Sequence, residues 1–377
     1  MGKVSKLVKS PGAFFRDYLI KRYPIDINQR IPQGGFSAGN KSVERWDDLG
    51  VRSIVFSDLD CSFPVDFVFT YVDQSDPAFA KEVSAHLESA VGRREVTDAA
   101  RFCSHEELKY ALRSVEKFSP WVRKVHVVTN GQVPSWLNTS CEKLNLVFHD
   151  QIIDKKYLPT FNSHVIESCL HRIDGLAEHY VYFNDDMMLS RNVRPEYFFS
   201  PAGLAFIFLS DVKLPNAPVN DWYDTATEWG GKNGRRLIHE RYGVSLDGML
   251  SHTHYPQVKS VSELCEAQWQ KEFDLMRANR FRAPTDLLAT GYLFPHVAVL
   301  EGQALYTRAR VAYFNVRMRG ALKHYHWLMS VRGTDRAPFS ICPNDRYSGD
   351  GERFPQYHES LIEFLEAYYP DRSIYEV

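Results

Sequence analysis

The chain has 377 residues, 44% hydrophobic and 14% aromatic, enough for a large buried core and unlike the composition of disordered segments. Its formal charge is −2, with basic and acidic residues interspersed, which excludes nucleic-acid binding by a broadly basic surface. Six widely spaced cysteines form no Cys-x-x-Cys pair, so zinc knuckles and redox motifs are unsupported, and no apolar run reaches the roughly 18 residues that would span a bilayer.

In chain order, residues 1–23 come first, a basic amphipathic segment in which Lys3, Lys6, Lys9, Arg16, Lys21 and Arg22 surround Phe14, Phe15, Leu19 and Ile20. Such a segment fits anionic lipid, a partner protein or the protein's own body, although Pro11-Gly12 interrupts it. With no signal-peptide core in the sequence, the expected location is the cytoplasm, peripheral to the inner face of the plasma membrane. Residues 24–377 read as one domain. Val65 to Val72 is a β-branched and aromatic run suited to a strand covered on both faces, ending in Asp73-Gln74-Ser75-Asp76-Pro77. Ser104 with Glu107 makes a capping box ahead of Leu108, Ala111, Leu112, Val115 and Phe118 at helical spacing. Strands follow at Lys124 to Thr129 and Leu144 to Phe148, a helix over 162–176, and a strand at Tyr180 to Phe183. Residues 200–230 read as an inserted loop or hairpin, and helical patterns return at 233–242, 261–279, 285–300 and 358–369. This alternation predicts an α/β fold with a mostly parallel, doubly wound sheet, whose ligands bind beyond the carboxyl ends of the strands.

Two acidic clusters stand at such ends. Asn184-Asp185-Asp186 follows four large apolar residues; neighbouring side chains on a strand point to opposite faces, so the two carboxylates take different tasks, one holding a cation and one bonding backbone or a base, or else they decorate a solvated turn. Asp73 and Asp76 could hold ribose hydroxyls or a cation, or form an Asx turn before Pro77, and Asn130-Gly131 is a β-turn or a ligand contact. Asn233 with Arg235 and Arg236, His252 with His254, and Arg280 with Arg282 fit anion handling, whereas Cys342-Pro343-Asn344-Asp345 offers oxygen ligands for a hard cation. Walker loops, nucleophile elbows and His-Glu-x-x-His helices are absent from the sequence, against P-loop hydrolysis, α/β-hydrolase chemistry and zinc proteolysis.

Four blocks in order, over 63–77, 101–193, 233–290 and 341–372, resemble the conserved regions of the Stealth family, which includes bacterial capsule polysaccharide phosphotransferases and the lysosomal-enzyme N-acetylglucosamine-1-phosphotransferase. The most specific run from Val65-Asp66-Phe67-Val68-Phe69-Thr70-Tyr71-Val72-Asp73, and from Arg101-Phe102 through Thr129-Asn130-Gly131-Gln132 and Leu158-Pro159-Thr160-Phe161-Asn162 to Asn184-Asp185-Asp186. The resemblance implies a GT-A-like nucleotide-sugar-binding core and transfer of a hexose-1-phosphate or N-acetylhexosamine-1-phosphate from a UDP-sugar to a saccharide hydroxyl, with release of UMP and without nucleic acid. It further implies Mg2+ or Mn2+ on Asp186 and Asn344, Asp185 or His252 as base, Arg282 on the diphosphate, and Asp73, Asp76, Asn130, Asn233 and His254 toward the substrates. Tyr71 stands where family members often carry Trp, and Ser251-His252-Thr253-His254 leaves the matching histidine open, with His252 favoured. A metal-dependent glycosyltransferase releasing UDP and a non-catalytic capsule-assembly protein are the alternatives.

Overall fold

The computed structural model describes residues 60–73, 75–87, 106–345 and 354–377; the 1–23 segment, Gln74, Arg101-Phe102 and Ser104 lie outside them. The expected first strand is β1 (Val65–Tyr71), followed by helices α1 (Pro77–Leu87) and α2 (Glu107–Phe118), then β2 (Val125–Thr129) and β3 (Leu144–Phe148). Helix α3 (Ser163–Glu167) leads to β4 (His179–Asn184), β5 (Met188–Leu189) and β6 (Ala205–Lys213). After α4 (Ala226–Tyr242) come β7 (Gly248–Leu250), β8 (Tyr255–Val258), α5 (Lys259–Gln268), α6 (Gln270–Arg277) and α7 (Phe294–Leu300). The chain closes with β9 (Ala304–Thr307), β10 (Val311–Asn315), α8 (Ala321–Val331), β11 (Ser340–Asn344) and α9 (Tyr357–Tyr368).

The main sheet has the order β3-β2-β1-β4-β8, parallel throughout except for β8, so the predicted mostly parallel α/β architecture is what the chain adopts. Phe67, Val68 and Phe69 of β1 are wholly buried, as a central strand covered on both faces requires. Successive strands run outward from β1 to β2 and β3, then the chain crosses to place β4 on the other side of β1. That reversal makes the β1/β4 boundary the switch point where such sheets form a ligand crevice. Thr70 pairs with Asn184 there, so the Asp73 loop and the Asn184-Asp185-Asp186 turn leave the sheet side by side. A second sheet, β10-β11-β5, is joined to the first through the short strand β5, because Ile341 pairs with Met188 just beyond Asp186.

Several local expectations change. Residues 200–230 are only partly a loop: Ala205 to Phe208 is a buried strand in a β7-β6-β9 sheet, and a run buried on both sides has no alternation to read. The predicted 162–176 helix stops at Glu167, where the Ser168 hydroxyl donates to the Val165 carbonyl at 2.8 Å, and resumes only as a 3-10 turn at Leu170–Arg172. The 261–279 pattern is two helices broken at Trp269, and the 285–300 pattern starts as a π-turn at Ala289–Leu293 before α7. Helix α2 begins at Glu107 with Glu106 in the left-handed region (φ 57).

Asp66, the one acid inside β1, is fully buried. Burial alone raises its carboxyl, but donors from His126, Arg123 and the Ala177 N–H outweigh that and hold it down at about 2. Gly230 of α4 lets the helix touch the 287–288 backbone: a Cβ there would sit 2.5 Å from the Leu288 nitrogen. Gly230→Ala is expected to destabilise the protein by about 1–3 kcal/mol through overpacking, read as a lower denaturant midpoint.

Buried histidines set the acid limit of stability. Burial pushes His149 and His296 down to about 4 from 6.5. In the unfolded chain they take up protons as pH falls through 6.5, whereas the folded rings refuse them until about 4. Their contribution is therefore complete above the unfolded value and lost between the two. Denaturant midpoints are expected to fall steadily from about pH 7 to about pH 4. A flat profile contradicts the neutral burial of these rings.

Candidate active site

The loops after β1 and β2 are tied by a residue that the sequence did not single out. Gln132 accepts the Asp73 N–H at 2.7 Å and donates to the Asp73 carbonyl and the Asp76 carboxylate, both at 2.9 Å. The Gln132 bond, followed by the Ala78 N–H, lowers the Asp76 carboxyl below its ordinary value. Asp73 receives Ser75 through both N–H and hydroxyl, and Asn130 accepts from Thr129 and from the Gln132 N–H, with Gly131 at φ 109 completing the turn. Asp73, Asp76 and Asn130 thus form one polar rim at the carboxyl end of the sheet. Nothing in the pattern of a single glutamine after Asn-Gly marks it as a cross-loop clamp.

Across the switch point, β4 ends in a hydroxyl-amide chain in which Thr70 bonds Tyr182 at 3.0 Å and the Tyr182 hydroxyl donates to Asn184 at 2.6 Å. Asp186 faces the second sheet. Its Oδ2 accepts from the Asn344 amide at 3.1 Å and the Cys342 thiol at 3.3 Å, while its Oδ1 is buried without a partner. Donor atoms of Asp186, His252 and Cys342 lie within 4.8 Å of one another. The two residues that the resemblance put on a cation, Asp186 and Asn344, therefore meet, and strand register explains it: β5 holds β11 antiparallel just beyond Asp186. Asp345, next in the chain, turns away and forms a forked ion pair with Arg317.

His252 bonds the Tyr255 hydroxyl through Nδ1 at 3.2 Å and meets the Tyr313 ring edge-on at 5.3 Å. Burial lowers its pKa against the opposing pull of Asp186 and Glu167, and Arg282 lowers it further. His254 is elsewhere: it is 1% exposed, enclosed by Phe183 and Phe198, and burial pushes it down to about 3, which makes it a neutral ring of the core. The two histidines lie two residues apart in the non-strand stretch between β7 and β8, whose bends send them to different surroundings, a distinction that spacing alone left open. Asp185 has its carboxyl raised well above the usual range, first by burial and then by Glu107 and Asp186.

Arg282 donates to the Ser163 hydroxyl at 2.8 Å and sits in a loop organised by Asp286. The fully buried Asp286 carboxylate accepts from Asn162 (2.9 Å), His164 (3.1 Å), Asn279 (3.0 Å) and the Ala283 N–H (3.1 Å). Asn233 spends both amide protons on the Pro284 and Asp286 carbonyls at 2.8 Å. Its donors face that loop and tie α4 to the chain just after Arg282. Glu167, buried and hydrogen-bonded by the Thr290 hydroxyl of the π-turn, adds a further negative charge felt by His252, Tyr182 and Tyr255.

Asp186 and Glu167 act on His252 from one side of the local charge balance and Arg282 alone from the other. A divalent cation suits that arrangement: the orphaned Asp186 Oδ1 supplies a ready ligand, and the Asn344 amide supplies an oxygen on rotation.

The fold is that of an α/β protein whose polar residues gather at the carboxyl edge of a parallel sheet, as in an enzyme of that class. Stealth conserved region 2 matches residues 101–207, and Stealth conserved region 3 matches 251–290. A capsular polysaccharide phosphotransferase of Actinobacillus suis is 37% identical over 97% of this chain and 98% of its own. The capsular polysaccharide phosphotransferase LcbA of Neisseria meningitidis is 34% identical over 98% of this chain and 100% of its own. Among solved structures, the galactosyltransferase LgtC with donor and acceptor sugar analogues aligns with 78% of this chain and 95% of its own at 12% identity and a TM-score of 0.35. The chain belongs to the Stealth family, and it is a phosphotransferase.

Proposed function

We propose that this enzyme moves a hexose-1-phosphate or N-acetylhexosamine-1-phosphate from a UDP-sugar to a hydroxyl of a growing capsule saccharide. The acceptor oxygen bonds to the β-phosphorus, the bond from that phosphorus to the bridging oxygen breaks, and UMP leaves with the bridging oxygen. The observation that carries this reading is the convergence of Asp186, Asn344 and His252 beside the Asp73 rim. His252 is kept unprotonated by burial and is the better base for the acceptor proton; Asp185, whose carboxyl is pushed up, holds its own proton more tightly. Arg282 offers a planar guanidinium to the diphosphate, positioned by Asp286 and Asn233. Asp73, Asp76 and Asn130 line the side where the nucleotide enters. Asp186 and Asn344 hold Mg2+ or Mn2+, which supplies charge neutralisation for the phosphoryl oxygens.

The enzyme acts at the cytoplasmic face of the membrane, reached through residues 1–23; among the described residues, no helix is long and apolar enough to cross a bilayer. The test is a screen of UDP-sugars with capsule oligosaccharides, separating nucleotide products chromatographically. UMP, dependent on acceptor and abolished by EDTA, supports the reading; UDP as the product overturns it.

A further inference from the structure

The loop between β6 and α4 carries two aromatic side chains turned to solvent. Trp222 is 79% exposed and Tyr223 is 55% exposed, an unusual cost for a soluble surface. The loop beneath them is firmly built. Lys232 of α4, almost wholly buried, donates to both oxygens of Asp224 at 2.8 and 2.7 Å and to the Pro218 carbonyl at 3.0 Å. Asn220 accepts the N–H groups of Trp222 and Tyr223 at 3.0 and 3.1 Å, and its carbonyl accepts the Trp229 indole at 3.1 Å. A buried ion pair spent on a surface loop fixes the direction in which the two rings are presented.

The aromatic loop shares its helix with the loop of Arg282. Lys232 anchors the aromatic loop, and the next residue, Asn233, anchors the loop of Arg282. Adjacent residues of a helix are separated by about 1.5 Å of rise, so the two loops are secured to the same level of α4. Residues 214–225 contain Asp221 and Asp224 and no Lys, Arg or His, and of the cations that flank or touch them Lys213 pairs with Asp247, Lys232 with Asp224, and Arg235 donates to the Leu214 and Pro215 carbonyls. An anionic membrane surface would call for Lys or Arg beside the aromatic rings. A sugar ring asks for something else, a flat aromatic face for its C–H side and exposed Asn or Asp groups for its hydroxyl rim, which Trp222, Tyr223, Asn216 and Asp221 supply.

We infer that Trp222 and Tyr223 form a stacking platform for the acceptor saccharide, holding a sugar unit remote from the hydroxyl that reacts. This rests on the reading of the enzyme as a saccharide-directed transferase. Binding of a unit other than the one that reacts favours long acceptors over short ones.

The experiment compares wild type, Trp222→Ala and Trp222→Phe by calorimetric titration with hexose and N-acetylhexosamine oligosaccharides of increasing length, and with UDP-sugar separately. The expected result is a roughly tenfold loss of affinity for the longer oligosaccharides in Trp222→Ala, near-recovery in Trp222→Phe, and unchanged UDP-sugar binding. Equal oligosaccharide affinity in wild type and Trp222→Ala overturns the platform, as does a wild type that binds no oligosaccharide. Loss of liposome sedimentation in Trp222→Ala with saccharide binding intact overturns it in favour of lipid. Because the readout is binding, a failure of UMP release would sink the proposed reaction while leaving the platform standing.

Discussion

Asp186→Asn is expected to lower turnover by about a thousandfold while leaving the fold intact. The substitution preserves shape, and the Asn344 and Cys342 donors that now meet a carboxylate keep an acceptor oxygen within reach. What it removes is the negative charge whose Oδ1 is buried with no protein partner. An ionised oxygen left in that state weakens the folded protein unless a cation completes it. The melting temperature of Asp186→Asn without metal should therefore equal or exceed that of the wild type, and added Mn2+ or Mg2+ should raise the wild type alone. Turnover near wild-type levels in the variant would remove Asp186 from the site.

Asp286→Ala is expected to cost about 3–5 kcal/mol of stability. Its carboxylate accepts from Asn162, His164, Asn279 and the Ala283 N–H in a fully buried setting. Truncation leaves four donors facing a void, the kind of unsatisfied burial that dominates severe single substitutions. Denaturant titration reads the loss directly. In whatever fraction stays folded, the 279–286 loop loses the Asp286 bonds to Asn162 and His164, so turnover should fall through misplacement of Arg282 even though Asp286 touches no substrate. Asp286→Asn, which keeps the shape but turns an amide toward some of these donors, should fall between wild type and Asp286→Ala in both measurements.

The parts of the fold legible in the sequence are those where one-dimensional pattern and burial coincide. The run from Val65 to Tyr71 reads as a covered central strand because it is one, and α2 carries a helical stripe that packs Leu108, Leu112 and Val115 inward. The Asn184-Asp185-Asp186 turn stood out because polar residues follow an apolar strand. Its pairing with Asn344 was legible only through the resemblance, since a contact across more than 150 residues depends on the β5–β11 register. Gln132, Cys342 and Glu167 escaped for the same reason: each owes its place to a partner far along the chain. The division between His252 and His254 needed the fold itself, because both sit two residues apart in one short non-strand stretch, where no periodicity separates the crevice from the core. Helices broken at Ser168 and Trp269 kept their apolar spacing across the break, so periodicity could not show where they stop.

The most direct test of phosphoryl transfer follows the β-phosphate itself. With a UDP-sugar radiolabelled in that phosphate and a capsule oligosaccharide as acceptor, the label is expected in the lengthened saccharide, resistant to phosphomonoesterase, with unlabelled UMP released. Label recovered in UDP, with an unlabelled saccharide product, would contradict attack at phosphorus.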